Sequence, residues 1–249
     1  DALGWGKYPG HGGMAILSRL PLDAAAARTF RDLRWADLPG ATLPAHPDGR
    51  PWPDPEAAAA FRLSSRSHWD VPVILPDGSR LHLLAANPTP PLFDGDEALN
   101  RLRNRDEIRF WSLYLDGMPF TDDAGISAAA PEPPVVVLGN FNADPVDGAG
   151  FKDGIGGLLA HPRLQDPRPS SPGAATAANP EHSGPPELDT ADWNDGPDGP
   201  GNLRVDYVLP DVRLGVQEAG VVWPIRGDST ARSAEMSAHR LVWVDIALP

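Results

Sequence analysis

The run Val135-Val136-Val137-Leu138-Gly139-Asn140-Phe141-Asn142-Ala143-Asp144-Pro145 constrains this chain more than any other stretch. Its apolar, β-branched opening follows Pro133-Pro134 and reads as a buried strand. The strand stops at Gly139 and delivers two carboxamides, Asn140 and Asn142, at its carboxyl end. Residues two apart on an extended segment face the same side, so both amides are expected to point into one crevice. Asp144-Pro145 then turns the chain away. The same pattern fits an ordinary strand exit in which Asn140 caps a turn, and spacing alone leaves both readings open.

Composition bounds what surrounds that strand. With 249 residues, 41% of them hydrophobic, the chain supports one substantial core or two modest ones, and it is read as a single domain over 1–249. No run approaches the roughly 20 apolar residues that cross a bilayer. Asp1-Ala2-Leu3-Gly4-Trp5 lacks the basic opening of a signal peptide. The absence of cysteine excludes disulfides, thiol nucleophiles and Cys-ligated metals, and leaves the redox compartment undecided. Net charge is -13, and Lys7 and Lys152 are the lysines. Such a field repels a nucleic-acid backbone, because phosphate contacts supply most non-specific affinity.

Taken in order, Asp1 to Gly13 is Gly- and aromatic-rich without a period, and Met14 to Arg19 reads as a buried strand ended by Leu20-Pro21. Ala24 to Trp35 is read as a short helix, and Pro39 to Pro55 as a broken loop. Pro72 confines any strand from Ser65 to Val73 to an edge or a bulge. Pro76-Asp77-Gly78 turns into a second buried strand, Arg80 to Asn87, on which His82 is expected to face outward. Arg101 to Leu115 is the clearest helix. Ile108, Trp111, Leu113 and Leu115 supply its apolar positions, its charges are read as a solvated face and cross-loop ion pairs, and Gly117 and Pro119 end it.

Beyond the central strand, Phe151 to Leu159 reads as a short amphipathic helix. The Pro-, Ser-, Gly- and Asp-rich stretch at about 162–201 is too long for a plain connection, so it is a functional surface loop or partly disordered. Asp189, Asp192 and Asp195 within it invite a calcium reading but lack the twelve-residue pattern with its closing Glu. Asn202 to Pro210, Gly215 to Trp223 and Leu241 to Ile246 are read as the remaining strands.

Several segments carry a family resemblance. Gly139-Asn140-Phe141-Asn142-Ala143-Asp144-Pro145 resembles the Gly-Asp-Phe-Asn-Ala-Asp-Pro motif of the endonuclease/exonuclease/phosphatase superfamily, whose fold is that of deoxyribonuclease I. Further matches follow the family's order: Gly13 to Pro21, Ser65 to Pro72, Asn87 to Gly95, Asn104 to Trp111, Leu188 to Trp193, Arg204 to Pro210 and Ser237 to Trp243. The resemblance implies an α+β fold, a four-layer α/β/β/α sandwich. Because the family's two opening strands, with an Asn and a metal-binding Glu, have no counterpart here, the first repeat is expected to be incomplete. An N-terminal segment or a partner strand would then complete the sheet.

The resemblance also assigns a site. It implies hydrolysis of phosphodiesters or phosphomonoesters with Mg2+ or Mn2+, catalysed by residues at the positions of Asn87, Asn140, Asn142, Asp206 and His239. Asn140, Ala238 and Asn87 stand where the family has Asp, Asp and His, and Asn140, Asn142 and Ala238 mark the metal positions, the ligand being lost at Ala238. Removing a positioned base or key donor typically costs factors of about 10² to 10⁴, and His239 is expected to lose the partner that fixes its tautomer. The chain as it stands is therefore read as an impaired or inactive phosphoesterase, either naturally degenerate or a shortened or deliberately inactivated form. The alternative is a non-catalytic module that binds an anion or a partner. The charge favours a small phosphoester over duplex nucleic acid, and the resemblance favours an extracellular or periplasmic, bacterial protein.

Overall fold

The computed structural model describes residues 7–8, 10–196, 199–225, 227 and 237–248. Residues 1–6 and 9 of the Gly- and aromatic-rich opening lie outside that set. In chain order the elements are β1 (Arg28–Thr29), α1 (Pro55–Ala60), β2 (His68–Ile74), β3 (Arg80–Ala86), α2 (Leu99–Leu115), β4 (Phe120–Thr121), β5 (Ser127–Ala128) and β6 (Val135–Asn140). They continue with α3 (Lys152–Leu159), α4 (Pro172–Thr176), β7 (Ala191–Asp192), β8 (Asn202–Leu203), β9 (Asp206–Pro210), β10 (Gly215–Val222) and β11 (Leu241–Ala247).

The expected α+β class is what the chain adopts. A five-stranded sheet runs in the order β1-β2-β3-β6-β9, with β3 and β6 parallel and the other neighbours antiparallel. Helix α2 makes the crossover that a parallel pair requires. Strand β6 lies inside the sheet, and alternate residues feed two cores. Val135 and Val137 join Leu84, Phe110, Trp111 and Tyr114 under α2, while Val136 meets Val73, Leu75, Leu81 and Leu214 on the other face. Against that second face lies Ile246 of the β10-β11 hairpin, whose Val221 and Val242 pack near Ala174 of α4.

Tertiary contacts override the local reading at several points. Met14 to Arg19 is not a strand, and Leu17 is 92% exposed, because no strand among the described residues pairs with it. The helix expected over Ala24 to Trp35 is replaced by β1, which pairs with Asp70 and Trp69. Arg28 anchors it through Asp122 at 2.8 Å, the Tyr114 hydroxyl at 2.9 Å and the carbonyls of Phe120, Ile126 and Ala128. β1 pairs with Asp70 and Trp69 alone; beyond it Leu22 bridges Val73 and the Pro72 carbonyl accepts the Asp23 N–H at 2.9 Å, so the irregular Leu22 segment covers the edge where Pro72 lacks an N–H. His82 faces inward, its side chain 12% exposed and Nδ1 2.5 Å from Asp70.

Charges on α2 also differ from expectation, since Arg103, Asp106 and Glu107 are buried rather than solvated. They do make cross-loop contacts: Asp106 accepts from Trp35 Nε1 and the Thr42 N–H. The segment at 162–201 is ordered over its described residues, holding α4, a 3-10 turn at Pro186–Leu188 and β7. The strand read over Asn202 to Pro210 breaks at Arg204-Val205. Their N–H groups go to the Asp144 carboxylate and Thr190 Oγ1 instead of a ladder.

Candidate active site

Strand β6 ends in an unusual backbone that builds the site. Gly139 has φ 143°, and a Cβ there would run into the carbonyl oxygen of Ala86 on β3. Asn142 has φ 50°, in the left-handed region that an Asn tolerates. This bend lets the Asn142 N–H donate to Asn140 Oδ1 at 2.9 Å, closing a turn. Both readings of the motif therefore hold, since Asn140 caps a turn and both amides line one crevice. A turn, not strand alternation, brings them to the same side.

The amides are sorted by what they bind. Asn142 Nδ2 donates to the Pro88 carbonyl at 2.8 Å and to Asn87 Oδ1 at 3.4 Å. Asn142 thus joins the end of β6 to the loop after β3. Because the oxygens of Asn87 and Asn140 are the atoms engaged, their Nδ2 groups remain as donors at the crevice wall.

Two side chains of α2 fix these loops from below. Asn104 Nδ2 donates to the carbonyls of Thr89 and Phe141, both at 2.8 Å. Glu107, fully buried, accepts from the Ser65 N–H at 2.6 Å, Ser65 Oγ at 2.9 Å and the Thr89 N–H at 2.6 Å. Burial pushes its carboxyl up to about 7, against the charge of Arg103 and these donors, which pull it down. His68 donates Nε2–H to the Glu107 carbonyl at 2.8 Å, and burial lowers that imidazole to about 4.

His239 enters from the loop before β11. The expectation that it lacks a tautomer-fixing partner is corrected by the structure: Nδ1 lies 2.9 Å from Asp206 Oδ2. A carboxylate only accepts, so Nδ1 carries the proton and Nε2 is left as a lone pair, or as a donor once protonated. Thr190 orients the carboxylate, donating to Asp206 Oδ2 at 2.9 Å while accepting from the N–H groups of Val205 and Asp206. Ala238 presents a methyl group, and its carbonyl accepts the Asp192 N–H at 2.9 Å.

Asn87, Asn140, Asn142 and His239 all line one crevice of about 480 Å³, together with Arg66, Phe93 and Trp193. Asp206 stands behind His239. The carboxylates of Asp144 and Asp147, also at the wall, are engaged with backbone N–H groups of Val146, Asp147 and Arg204, and of Ser183 and Gly184. Asp189, Asp192 and Asp195 do not share a site: Asp192 binds Arg240 at 2.7 Å and Asp195 accepts from Asn179 at 2.8 Å. Among the described residues no three His, Asp or Glu side chains are grouped to hold a metal ion. Mg2+ is held through one or two carboxylates with waters completing its shell, and the carboxylate oxygens at this wall, those of Asp144 and Asp147, are all engaged by backbone N–H groups, so this donor set fits the Mg2+ or Mn2+ that the family implies poorly.

Asp189 carries a pH dependence. Burial, then the charges of Asp144, Asp147 and Glu187, push its carboxyl up to about 7 from an ordinary value of 3.8. A raised acid binds its proton more tightly when folded, so its stabilisation is complete below pH ~3.8 and is lost as pH rises through about 7. Asp189→Asn stays neutral throughout. It is expected to be more stable than the parent at pH 8 by on the order of 1–3 kcal/mol and to gain little at pH 5. Thermal unfolding at the two pH values checks this; an equal gain at both would contradict it.

Sequence reasoning passed over Arg66, Phe93, Trp193 and Glu107. Arg66 lay inside a matched segment, but nothing in the sequence brings the loop after α1 to the end of β6. Glu107 also lay inside a matched segment, where it was read as a solvated helix charge.

The profile of the Endonuclease/Exonuclease/phosphatase family matches residues 3–239. No curated protein matches the sequence. Among solved structures, the chain is similar to an endonuclease/exonuclease/phosphatase from Beutenbergia cavernae DSM 12333, at 18% identity and a TM-score of 0.50, over 93% of this chain and 46% of that one. It is also similar to family proteins from Leptotrichia buccalis C-1013-b (15%, TM-score 0.40, 74% and 54% covered) and Bacteroides thetaiotaomicron (12%, TM-score 0.39, 74% and 57% covered). The chain spans about half the length of these structures. At such identities the first similarity shows the fold: a mixed α+β arrangement around a central sheet, consistent with that of deoxyribonuclease I.

Proposed function

This chain belongs to the endonuclease/exonuclease/phosphatase family, and from that membership we propose that its crevice binds the phosphoryl group of a small phosphoester through uncharged donors, with hydrolysis impaired. The observation that carries this reading is the orientation of Asn87 and Asn140. Their oxygens are engaged within the protein while their Nδ2 groups serve the crevice. His239, held by Asp206, adds a donor when protonated, and Arg66 brings positive charge to the same wall. Fixed N–H donors are what equatorial phosphoryl oxygens require. The net charge of -13 supports a small ester over duplex nucleic acid.

A second reading, a phosphoesterase that works with Mg2+ or Mn2+, is favoured by the His239–Asp206 pair, which matches the triad logic of an oriented imidazole. An extracellular or periplasmic location is proposed on the resemblance alone; among the described residues no helix is long and apolar enough to cross a membrane.

Calorimetry with inorganic phosphate, and turnover of bis(p-nitrophenyl) phosphate with manganese or EDTA, separate the two. We expect phosphate binding that is indifferent to EDTA, and no metal-dependent turnover. Asn87→Ala is expected to weaken phosphate roughly tenfold, the scale of a hydrogen bond to a charged group. Manganese-dependent turnover abolished by EDTA would overturn the reading in favour of the enzyme.

A further inference from the structure

The crevice is larger than a phosphoryl group needs, and beside its polar lining, which includes Arg66, Asp144 and Asp147 as well as the amides and His239, it has an apolar part. Pro90, Pro91, Phe93, Trp193, Leu203 and Val205 supply that part. A pocket of a few hundred Å³ with apolar walls and a few convergent polar groups is the usual form of a small-molecule site.

Phe93 stands out within it. The residue is 94% exposed at the crevice, and its backbone φ is 63°, a left-handed conformation rare for a bulky side chain. Both neighbours are pinned. The Leu92 carbonyl accepts from Asn100 Nδ2 at 2.7 Å, and the Asp94 carboxylate accepts from the Asn100 and Arg101 N–H groups at 2.5 and 2.9 Å. Pro90-Pro91 stiffens the approach. The fold therefore holds an aromatic ring in water, in a strained backbone, at the mouth of a polar-ended pocket. Nothing in the described core uses that ring. Trp193 adds a second aromatic wall, edge-on to His239 with ring centroids 5.2 Å apart.

We infer that Phe93 is a specificity-determining residue that stacks on a flat aromatic group of the bound ester, so that the crevice takes aryl phosphoesters in preference to phosphate esters of small polar alcohols. This deepens the reading above and rests on it. An aromatic pair gains from offset or edge contact beyond the area it buries. A ring pre-set by its backbone loses little freedom on binding.

The test uses phenylphosphonate and methylphosphonate, which share the anion and resist hydrolysis. Calorimetry should show phenylphosphonate binding roughly five- to tenfold tighter, the range of an aromatic contact. Phe93→Gly should bring the ratio of the two dissociation constants close to one. Glycine adopts φ 63° freely, so this variant should unfold within a few degrees of the parent, which thermal denaturation of the same sample establishes. Equal binding of the two phosphonates by the parent would overturn the aryl preference and leave the phosphoryl reading standing. A ratio preserved in Phe93→Gly would overturn the role of Phe93. Failure of both phosphonates to bind would overturn this inference and the phosphoryl reading together.

Discussion

Glu107→Ala is expected to lower stability by about 3 kcal/mol at pH 5, because it strands three donors in a dry interior. The Ser65 N–H and Oγ and the Thr89 N–H all end on this one carboxyl group, and the residue has no exposed surface. For a chain of this size that loss corresponds to a fall of roughly 6–12 °C in melting temperature. The effect should reach the crevice, since Ser65 and Arg66 form one wall and the loop from Asn87 to Thr89 another.

The effect should also depend on pH. The Glu107 carboxyl is raised to about 7 from 4.5, so its stabilisation is complete below pH ~4.5 and declines as pH rises through about 7. Arg103, which opposes the rise, and His68, lowered to about 4 and therefore neutral across this window, are the charged or titratable neighbours that bear on it. The deficit of Glu107→Ala against the parent should therefore be larger at pH 5 than at pH 8. Guanidinium unfolding at both pH values measures this. A variant within about 1 kcal/mol of the parent at pH 5 would show that Glu107 does not anchor the two loops.

Gly139→Ala carries the second large effect. The residue sits at φ 143°, a region that side-chain-bearing residues rarely adopt, and its Cβ would meet the backbone carbonyl of Ala86. Backbone cannot give way as a flexible side chain would, so β3 and β6 must separate where they carry Asn87 and Asn140. We expect a loss of about 2–4 kcal/mol and a phosphate affinity that falls with it. The Gly157→Ala variant is a suitable control, since nothing lies within 4 Å of a Cβ there; it should be neutral to stabilising. Equal behaviour of the two variants in denaturant would refute the close approach.

Some of this was legible without coordinates. The apolar run at Val135 and the helix from Arg101 needed no tertiary information, because each carries a complete local signal of period, length and terminator. The matched segments also named Asn87, Asn140, Asn142, Asp206 and His239 before their positions were known. Failures came where the signal is not local. Met14 to Arg19 has the composition of a buried strand, but a strand needs a neighbour, and none among the described residues pairs with it. Arg28 and Thr29 sit in a stretch of helix-forming alanines, yet Asp122, 94 residues on from Arg28, decides their conformation.

The site divides along the same line. The sequence by itself determined which residue types stand at the motif positions, and hence that Asn87, Asn140 and Ala238 bring amides and a methyl group where the resemblance implies a His and two carboxylates. Tertiary structure decided which atoms of those residues are available. Asn142 turns its donors onto Pro88 and Asn87, Asn87 and Asn140 turn their oxygens inward, and Asp206 supplies His239 with the partner its own neighbour Ala238 does not. The physical reason is that a hydrogen bond depends on direction as well as identity. Which end of an amide meets a ligand is set by groups that lie 2 to 55 residues away along the chain, and those separations close only on folding.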